Sequence, residues 1–128
     1  MHYYIAGPIS NTEDGNEDRF MAARNALGKL LAIRDRLDFK ISIPQDVDQD
    51  VPFAEMPMAD RTWDWYMKKC LGLVIDCDVV VLLPGSDRSR GAKVETATAV
   101  ALGKRVVTYQ HLAKELLEPE WLEQEGDD

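Results

Sequence analysis

Basic residues are scarce in this chain. Against 23 Asp and Glu stand 15 Lys and Arg, which gives a formal net charge of −8 at pH 7. Binding to long nucleic acid draws on counterion release from a phosphate backbone and needs a basic surface, so the balance argues against that partner class. Cysteine is scarcer still, with Cys70 and Cys77 alone. Their spacing, on what reads as a helix and its exit, matches no metal motif and gives little reason to expect a disulfide, so both are read as reduced. Long apolar runs are missing, and the opening MHYYIAGP has no basic segment. Neither a membrane span nor a secretory signal is therefore expected, and the expected compartment is the cytoplasm. Internal repeats and low-complexity linkers are missing too.

What is present is ordinary for a globular protein. Apolar residues make up 45% and charged residues 30% of 128 positions, enough for one domain with a core that needs no covalent staples. Much of the negative charge lies in Glu115, Glu118, Glu120, Glu123, Glu125, Asp127 and Asp128, a segment with no basic residue. It reads as a solvated helix face running into an acidic tail over about 118–128. Small anionic ligands stay open, because they respond to a local site and not to the total charge.

The hydrophobic pattern alternates between strand and helix. His2 to Ala6 is a short apolar strand ended by Gly7-Pro8. A helix from about Glu17 places Phe20, Ala23, Leu27 and Leu30 at three- and four-residue steps, with Leu37 seven residues further on the same stripe. Phe39 to Ile43 is the second strand. Pro44 to Ala59 contains three prolines, four acidic residues and no period, so a surface loop is expected, long enough for a lid or a partner contact. Arg61 to Ile75 reads as a helix with Trp63, Met67, Cys70 and Val74 on its inward stripe. Val79 to Leu83 is a strand buried on both faces. The next helix opens at Gly91-Ala92 and runs to Leu102, with Gly103 as its C-cap. Arg105 to Tyr109 is the fourth strand, and His111 to Leu117 starts a last helix that Pro119 interrupts before Trp121.

This alternation predicts an α/β fold: a three-layer doubly wound, flavodoxin-like sandwich with a four- to five-stranded, mainly parallel sheet. The expected strand order is 2-1-3-4. Ligands of such sheets bind beyond the carboxyl ends of the strands where the winding reverses, which sets the loop from Gly7 to Asn16 beside the loop from Pro84 to Gly91.

The stretch DVVVLLPGSDRSRGAKVE, Asp78 to Glu95, concentrates the chemistry. Gly85, Ser86, Ser89 and Gly91 form a polar loop before a helix N-terminus, a place that favours a phosphate; Ser89 and Gly91 could equally do no more than start the helix. Arg88 and Arg90 are phosphate partners or ordinary surface charge. Asp87 is expected to face water. Glu95 sits on the stripe Ala92, Glu95, Ala99, Leu102, so a carboxylate occupies a face made to pack against the sheet, and a functional role is the better reading. Tyr4 lies near the carboxyl end of the first strand. Its phenol could orient Glu95, touch a sugar, or belong to the core. Trp63, Trp65 and Tyr66 either line a base-binding wall or pack the core. Asp78 is at the wrong end, since the run to Pro84 spans roughly 20 Å, and reads as a structural cap.

Taken together, YIAGPIS (Tyr4 to Ser10), Asn16, Phe20, WDWYM (Trp63 to Met67), CDVVVLLPG (Cys77 to Gly85) and SRGAKVE (Ser89 to Glu95) resemble the nucleoside 2-deoxyribosyltransferase-like superfamily. The likeness is strongest to its DUF4406 branch, frequent in phages and bacteria, and covers Tyr4 to Gly103. It implies cleavage of an N-glycosidic bond in a small nucleoside or nucleoside 5′-monophosphate, by hydrolysis or deoxyribosyl transfer, with no metal or redox cofactor. Glu95 matches the family's catalytic glutamate at C1′, and Tyr4 the tyrosine that orients it. Ser89 and Gly91, with Gly85 and Arg90 around them, match the phosphate-contacting loop, and Gly7 with Ser10 the loop facing it. Relatives also complete their sites from a neighbouring subunit, which implies a homodimer or higher homo-oligomer; Trp121 is either an anchor for that contact or a cover for its own core.

One position departs from the pattern. Cys70 stands where relatives carry an aspartate at the sugar or leaving base, and a neutral thiol is a poor acceptor for ribose hydroxyls. Cys70 therefore either reshapes the pocket or marks a non-catalytic nucleotide-binding module, a sensor or sequestering protein. A covalent role for the thiol is not expected, because nothing near it in sequence lowers its pKa. A third reading is an interaction domain that binds a partner protein through the acidic tail and the proline-bearing loop.

Overall fold

A computed structural model describes residues 1–9, 16–34, 38–48 and 62–118. Four strands and four helices alternate along them: β1 (His2–Ala6), α1 (Glu17–Ile33), β2 (Lys40–Ser42), α2 (Trp63–Asp76), β3 (Val79–Leu82), α3 (Arg90–Ala101), β4 (Arg105–Thr108) and α4 (Tyr109–Leu117). Short 3₁₀ turns follow β2 at Pro44–Asp48 and β3 at Ser86–Arg88. Leu37, residues 49–59 of the expected loop, and Pro119 with Trp121 and the rest of the acidic tail lie outside the described residues.

The sheet is wholly parallel in the order β2-β1-β3-β4, the expected one. Tyr3, Tyr4 and Ile5 of β1 stand opposite Val79, Val80 and Val81 of β3. Because side chains alternate across a strand, this register sorts the two central strands into two faces. Tyr3, Ile5, Val79 and Val81 pack with Phe20, Leu27 and Leu31 of α1 and with Leu112 and Leu116 of α4. Tyr4, Ala6 and Val80 pack on the other side with Cys70 and Val74 of α2 and with Ala92 and Ala99 of α3. Helices on both faces explain why β1 and β3 read as unbroken apolar runs. The edge strands β2 and β4 instead open on exposed Lys40 and Arg105, which discourages pairing with a further strand.

Caps set the element ends. Thr62 Oγ1 accepts a hydrogen bond from Trp65 N at 3.1 Å and starts α2. Thr108 Oγ1 accepts from His111 N at 3.2 Å, so Tyr109, expected in the last strand, is the first residue of α4. Gly103, at φ 73°, closes α3 in the left-handed conformation its position requires. At the amino ends of the strands, His2 N donates to Asp78 Oδ2 at 2.7 Å and ties β1 to β3, the capping role expected of Asp78.

Two residues expected to face inward do not. Leu102 is 53% exposed because it is the C-cap of α3, where the backbone leaves helical geometry and the stripe loses its phase. Trp63 is 48% exposed; it is the first residue of α2 and lies under the Arg90 guanidinium instead of in the core. Strand β2 is also shorter than the expected Phe39 to Ile43. Among the described residues no helix is long and apolar enough to cross a membrane.

Candidate active site

The loops that follow β1 and β3 meet at the carboxyl end of the sheet. Leu83 N donates to Ala6 O at 2.9 Å, carrying the pairing one residue past β3. A Cβ on Gly7 would stand 3.1 Å from Leu83 Cβ and 3.3 Å from Phe20 Cζ, so the close approach depends on a residue without a side chain. Gly85 holds φ at 91° against Pro8, a conformation that glycine adopts at little cost. Two side chains from the start of α1 lock the pair of loops: Asn16 Nδ2 donates to Pro8 O at 3.0 Å and Arg19 Nη2 to Pro84 O at 2.6 Å. The convergence expected from topology is therefore present. Gly7 and Gly85 have backbone reasons to be glycine, and Ser10 lies outside the described residues.

Helix α3 starts beside these loops. Ser89 Oγ accepts from Ala92 N at 3.2 Å, an N-cap that aims the amides of the first turn out of the helix end. Gly91 lets α2 approach, since a Cβ there would lie 3.3 Å from Met67 Sδ. The Arg90 guanidinium stacks 4.2 Å over the exposed Trp63 ring, joining the first residues of α2 and α3. Arg88 and Asp87 are exposed.

One turn further in, Glu95 is 4% exposed although it is charged in water. The Tyr4 hydroxyl, itself fully buried, donates to Glu95 Oε2. Burial pushes the Glu95 carboxyl up to about 7, and the hydrogen bond from Tyr4 holds it from rising further. Burial and the neighbouring carboxylate push the Tyr4 phenol well above its ordinary value, so it stays a donor. Tyr4 is thus a core tyrosine whose hydroxyl is satisfied by Glu95, which fits both the orienting reading and the core reading.

Cys70, 2% exposed, completes this group from α2 and meets the Tyr4 hydroxyl. Burial first, then the charge of Glu95, pushes its thiol up to about 12, with Asp48 adding a smaller push and the Tyr4 contact opposing them. A thiol so far above neutrality is not an attacking nucleophile.

Asp48 was not singled out by sequence. It ends the 3₁₀ turn after β2, and Tyr66 Oη donates to its Oδ1 at 2.6 Å. Tyr66 stands one helical turn before Cys70, and Trp65 packs edge-on against it with ring centroids 5.0 Å apart. The one available signal was the buried Val47 between Asp46 and Asp48, an apolar anchor inside an acidic stretch. Among the described residues no three His, Cys, Asp or Glu side chains gather as ligands for a metal ion.

Comparison with known proteins agrees with this frame. The family DUF4406, a domain of unknown function, matches residues 1–108, and the chain belongs to that family. Among solved structures it is similar to a 2-deoxyribosyltransferase from Leishmania mexicana, with a TM-score of 0.54 and 22% identity over 84% of this chain and 62% of that one. It is also similar to a 2-deoxyribosyltransferase from the psychrotolerant bacterium Bacillus psychrosaccharolyticus, with a TM-score of 0.52 and 20% identity over 84% of this chain and 71% of that one. At these identities the likeness shows the shared fold. The chain spans under two thirds of the length of the Leishmania protein. No curated protein matches it.

Proposed function

We propose that this chain cleaves the N-glycosidic bond of a small nucleoside or nucleoside 5′-monophosphate, with Glu95 set against C1′ of the sugar. The observation that supports this most is the buried Tyr4–Glu95 pair at the ligand-binding end of a doubly wound sheet. Burying a carboxylate is costly unless it is used or paired, and a pKa near 7 leaves about half of the Glu95 side chains ionised at neutral pH. The ionised form can stabilise the oxocarbenium-like centre that develops as the base departs. In the transfer route an Oε atom bonds to C1′ as the C1′–N bond breaks, and the electron pair leaves with the base, which takes up a proton from water. A second base or a water then attacks C1′, the bond from C1′ to Oε breaks to free the carboxylate, and the attacking group gives up its proton to water. Tyr4 holds Glu95 in place and favours its ionised form. For a 5′-monophosphate, the first-turn amides of α3 with Ser89, Gly91 and Arg90 are the proposed phosphate grip.

Incubation with a panel of nucleosides and 5′-monophosphates, with chromatography for free base, tests this reading. Base release that is lost in Glu95→Ala supports it. No release from any member, or release that Glu95→Ala retains, counts against it. A new nucleoside on addition of a second base identifies transfer; free sugar or sugar phosphate identifies hydrolysis.

The neutral, buried Cys70 beside Tyr4 favours a second reading, a module that binds nucleotides without cleaving them. It predicts a ligand recovered intact by mass spectrometry of denatured protein, and cleaved products in that experiment would eliminate it.

A further inference from the structure

We propose that the Arg90 guanidinium stacked on Trp63 is a latch that closes the seam between α2 and α3 over the Tyr4–Glu95 pair, and that this seam opens for the site to work. The need for an opening rests on the glycosidic-cleavage reading, whereas the latch itself is read from the packing. Glu95 is 4% exposed, and Tyr4 and Cys70 beside it are buried as well. For the proposed bond to form, a Glu95 Oε atom has to touch C1′ of a sugar. The closed form admits no sugar, so the chemistry requires a second form in which some of this cover is displaced.

Both helices start at the carboxyl end of the sheet, because each leads back to the amino end of the next parallel strand. They pack side by side, and contacts close the seam between them at successive depths. Outermost, Arg90 lies 4.2 Å over the Trp63 ring. Below it, Met67 Sδ fills the space beside Gly91, where a Cβ would stand only 3.3 Å away. Innermost, Cys70 and Glu95 meet at the Tyr4 hydroxyl. Trp63, Met67 and Cys70 follow one another at four- and three-residue steps on α2, and Gly91 and Glu95 at a four-residue step on α3, so the contacts share one stripe of each helix. At about 1.5 Å per residue, Trp63 stands roughly 10 Å up the α2 axis from Cys70.

The two ends of the seam are held differently. At the amino end of the sheet, Lys104 Nζ, just past α3, donates to the carbonyl oxygen of Cys77, the C-cap of α2, and pins the helices together. At the latch end both partners are exposed, and an exposed cation–π pair shifts an equilibrium only about two- to fivefold. Beneath it a flexible thioether meets a residue with no side chain, a contact that parts without breaking a hydrogen bond. The seam is therefore built to part at Trp63 and Arg90 and to stay shut at Cys77. Cys70 lies toward the end that parts and Cys77 at the pinned end, so the two thiols report on the two ends separately.

The test follows the labelling of both thiols by N-ethylmaleimide at pH 8 in native protein without substrate, with tandem mass spectrometry to separate Cys70 from Cys77. Besides burial, the groups that set the Cys70 pKa are Glu95, Tyr4 and Asp48, so a change at the latch reaches the Cys70 rate through access. Wild type is expected to label Cys70 only over hours. Trp63→Ala and Arg90→Met are each expected to speed Cys70 about two- to fivefold and to leave Cys77 within about 1.5-fold. Trp63→Phe, which keeps a ring under the guanidinium, is expected to stay within about twofold of wild type. The double variant Trp63→Ala/Arg90→Met should exceed the faster single variant by no more than about 1.5-fold, because both changes break one contact. Unchanged Cys70 rates in both single variants overturn the latch. So do rates that multiply in the double variant, or a rise that Cys77 shares, which reports loosening of the whole fold. Base release from wild type is measured separately: its absence ends the glycosidic reading, while the labelling rates still decide on the latch.

Discussion

The hydroxyl of Tyr4 on β1 and the carboxylate of Glu95 on α3 share a buried hydrogen bond across 91 positions of the chain. That bond lowers the Glu95 pKa against the opposing pull of burial, and a hydrogen bond to a charged group contributes about 1.5–3 kcal/mol. Replacing Tyr4 by Phe removes the donor and keeps the ring. The variant should stay folded, while the limb of the pH–rate profile set by Glu95 ionisation moves alkaline by about one to two units. At pH 7 base release should fall about 5- to 50-fold, with much of it recovered at pH 9. A uniform loss at every pH would show that Tyr4 acts by packing alone.

The same burial makes Glu95 a liability for folding. Its folded pKa of about 7 lies above the ordinary 4.5, so the fold prefers the protonated acid. The penalty is absent below pH 4.5, grows as pH rises, and is complete above pH 7, where it reaches about 3 kcal/mol. Glu95→Gln mimics the protonated form. Urea unfolding should find the variant about 2–3 kcal/mol more stable than wild type at pH 8 and nearly equal to it at pH 4. Equal stability at both pH values would mean that the carboxylate is not buried as described.

The cysteines should be silent in the native protein. Cys70 and Cys77 are 2% and 1% exposed, and burial pushes both thiols up. Thiolates are the reactive species, so a disulfide reagent at pH 8 should label neither within minutes, and both at once in denaturant. One equivalent of fast native reaction would contradict the placement of Cys70 in the core.

Glycines 7 and 91 should respond differently to alanine. At Gly7 the new Cβ meets the Cβ of Leu83, an atom fixed by backbone, and about 1–3 kcal/mol of stability should be lost. At Gly91 it meets Met67 Sδ, the flexible part of a side chain, and alanine favours the helix, so stability should change by less than about 1 kcal/mol. Denaturation midpoints of the two variants decide between them. If Gly91→Ala stays folded and loses activity mainly toward 5′-monophosphates, the phosphate grip at α3 is supported.

Much of the architecture was legible because it depends on period and punctuation. The continuous apolar runs of β1 and β3, the glycine and proline that end them, and the helical spacing between them lead to the sheet order that the structure has. The Tyr4–Glu95 pair was within reach for the same reason: one residue sits at a strand's carboxyl end and the other on an inward helical stripe. Periodicity fails at element ends, where Leu102 leaves the helix and Trp63 stays exposed and stacks under Arg90. It also fails where a turn has no period. Asp48 is held beside α2 by the buried Val47 next to it and the hydroxyl of Tyr66, a relation between distant segments that no local pattern encodes.

The most direct test sets wild type and Glu95→Gln side by side at pH 8, both shown to be folded, with the deoxynucleoside or 5′-monophosphate that wild type cleaves fastest. The account predicts free base from wild type and a rate lower by at least about 1,000-fold from the variant. Equal rates from the two proteins, or no base from either on any substrate, would contradict it.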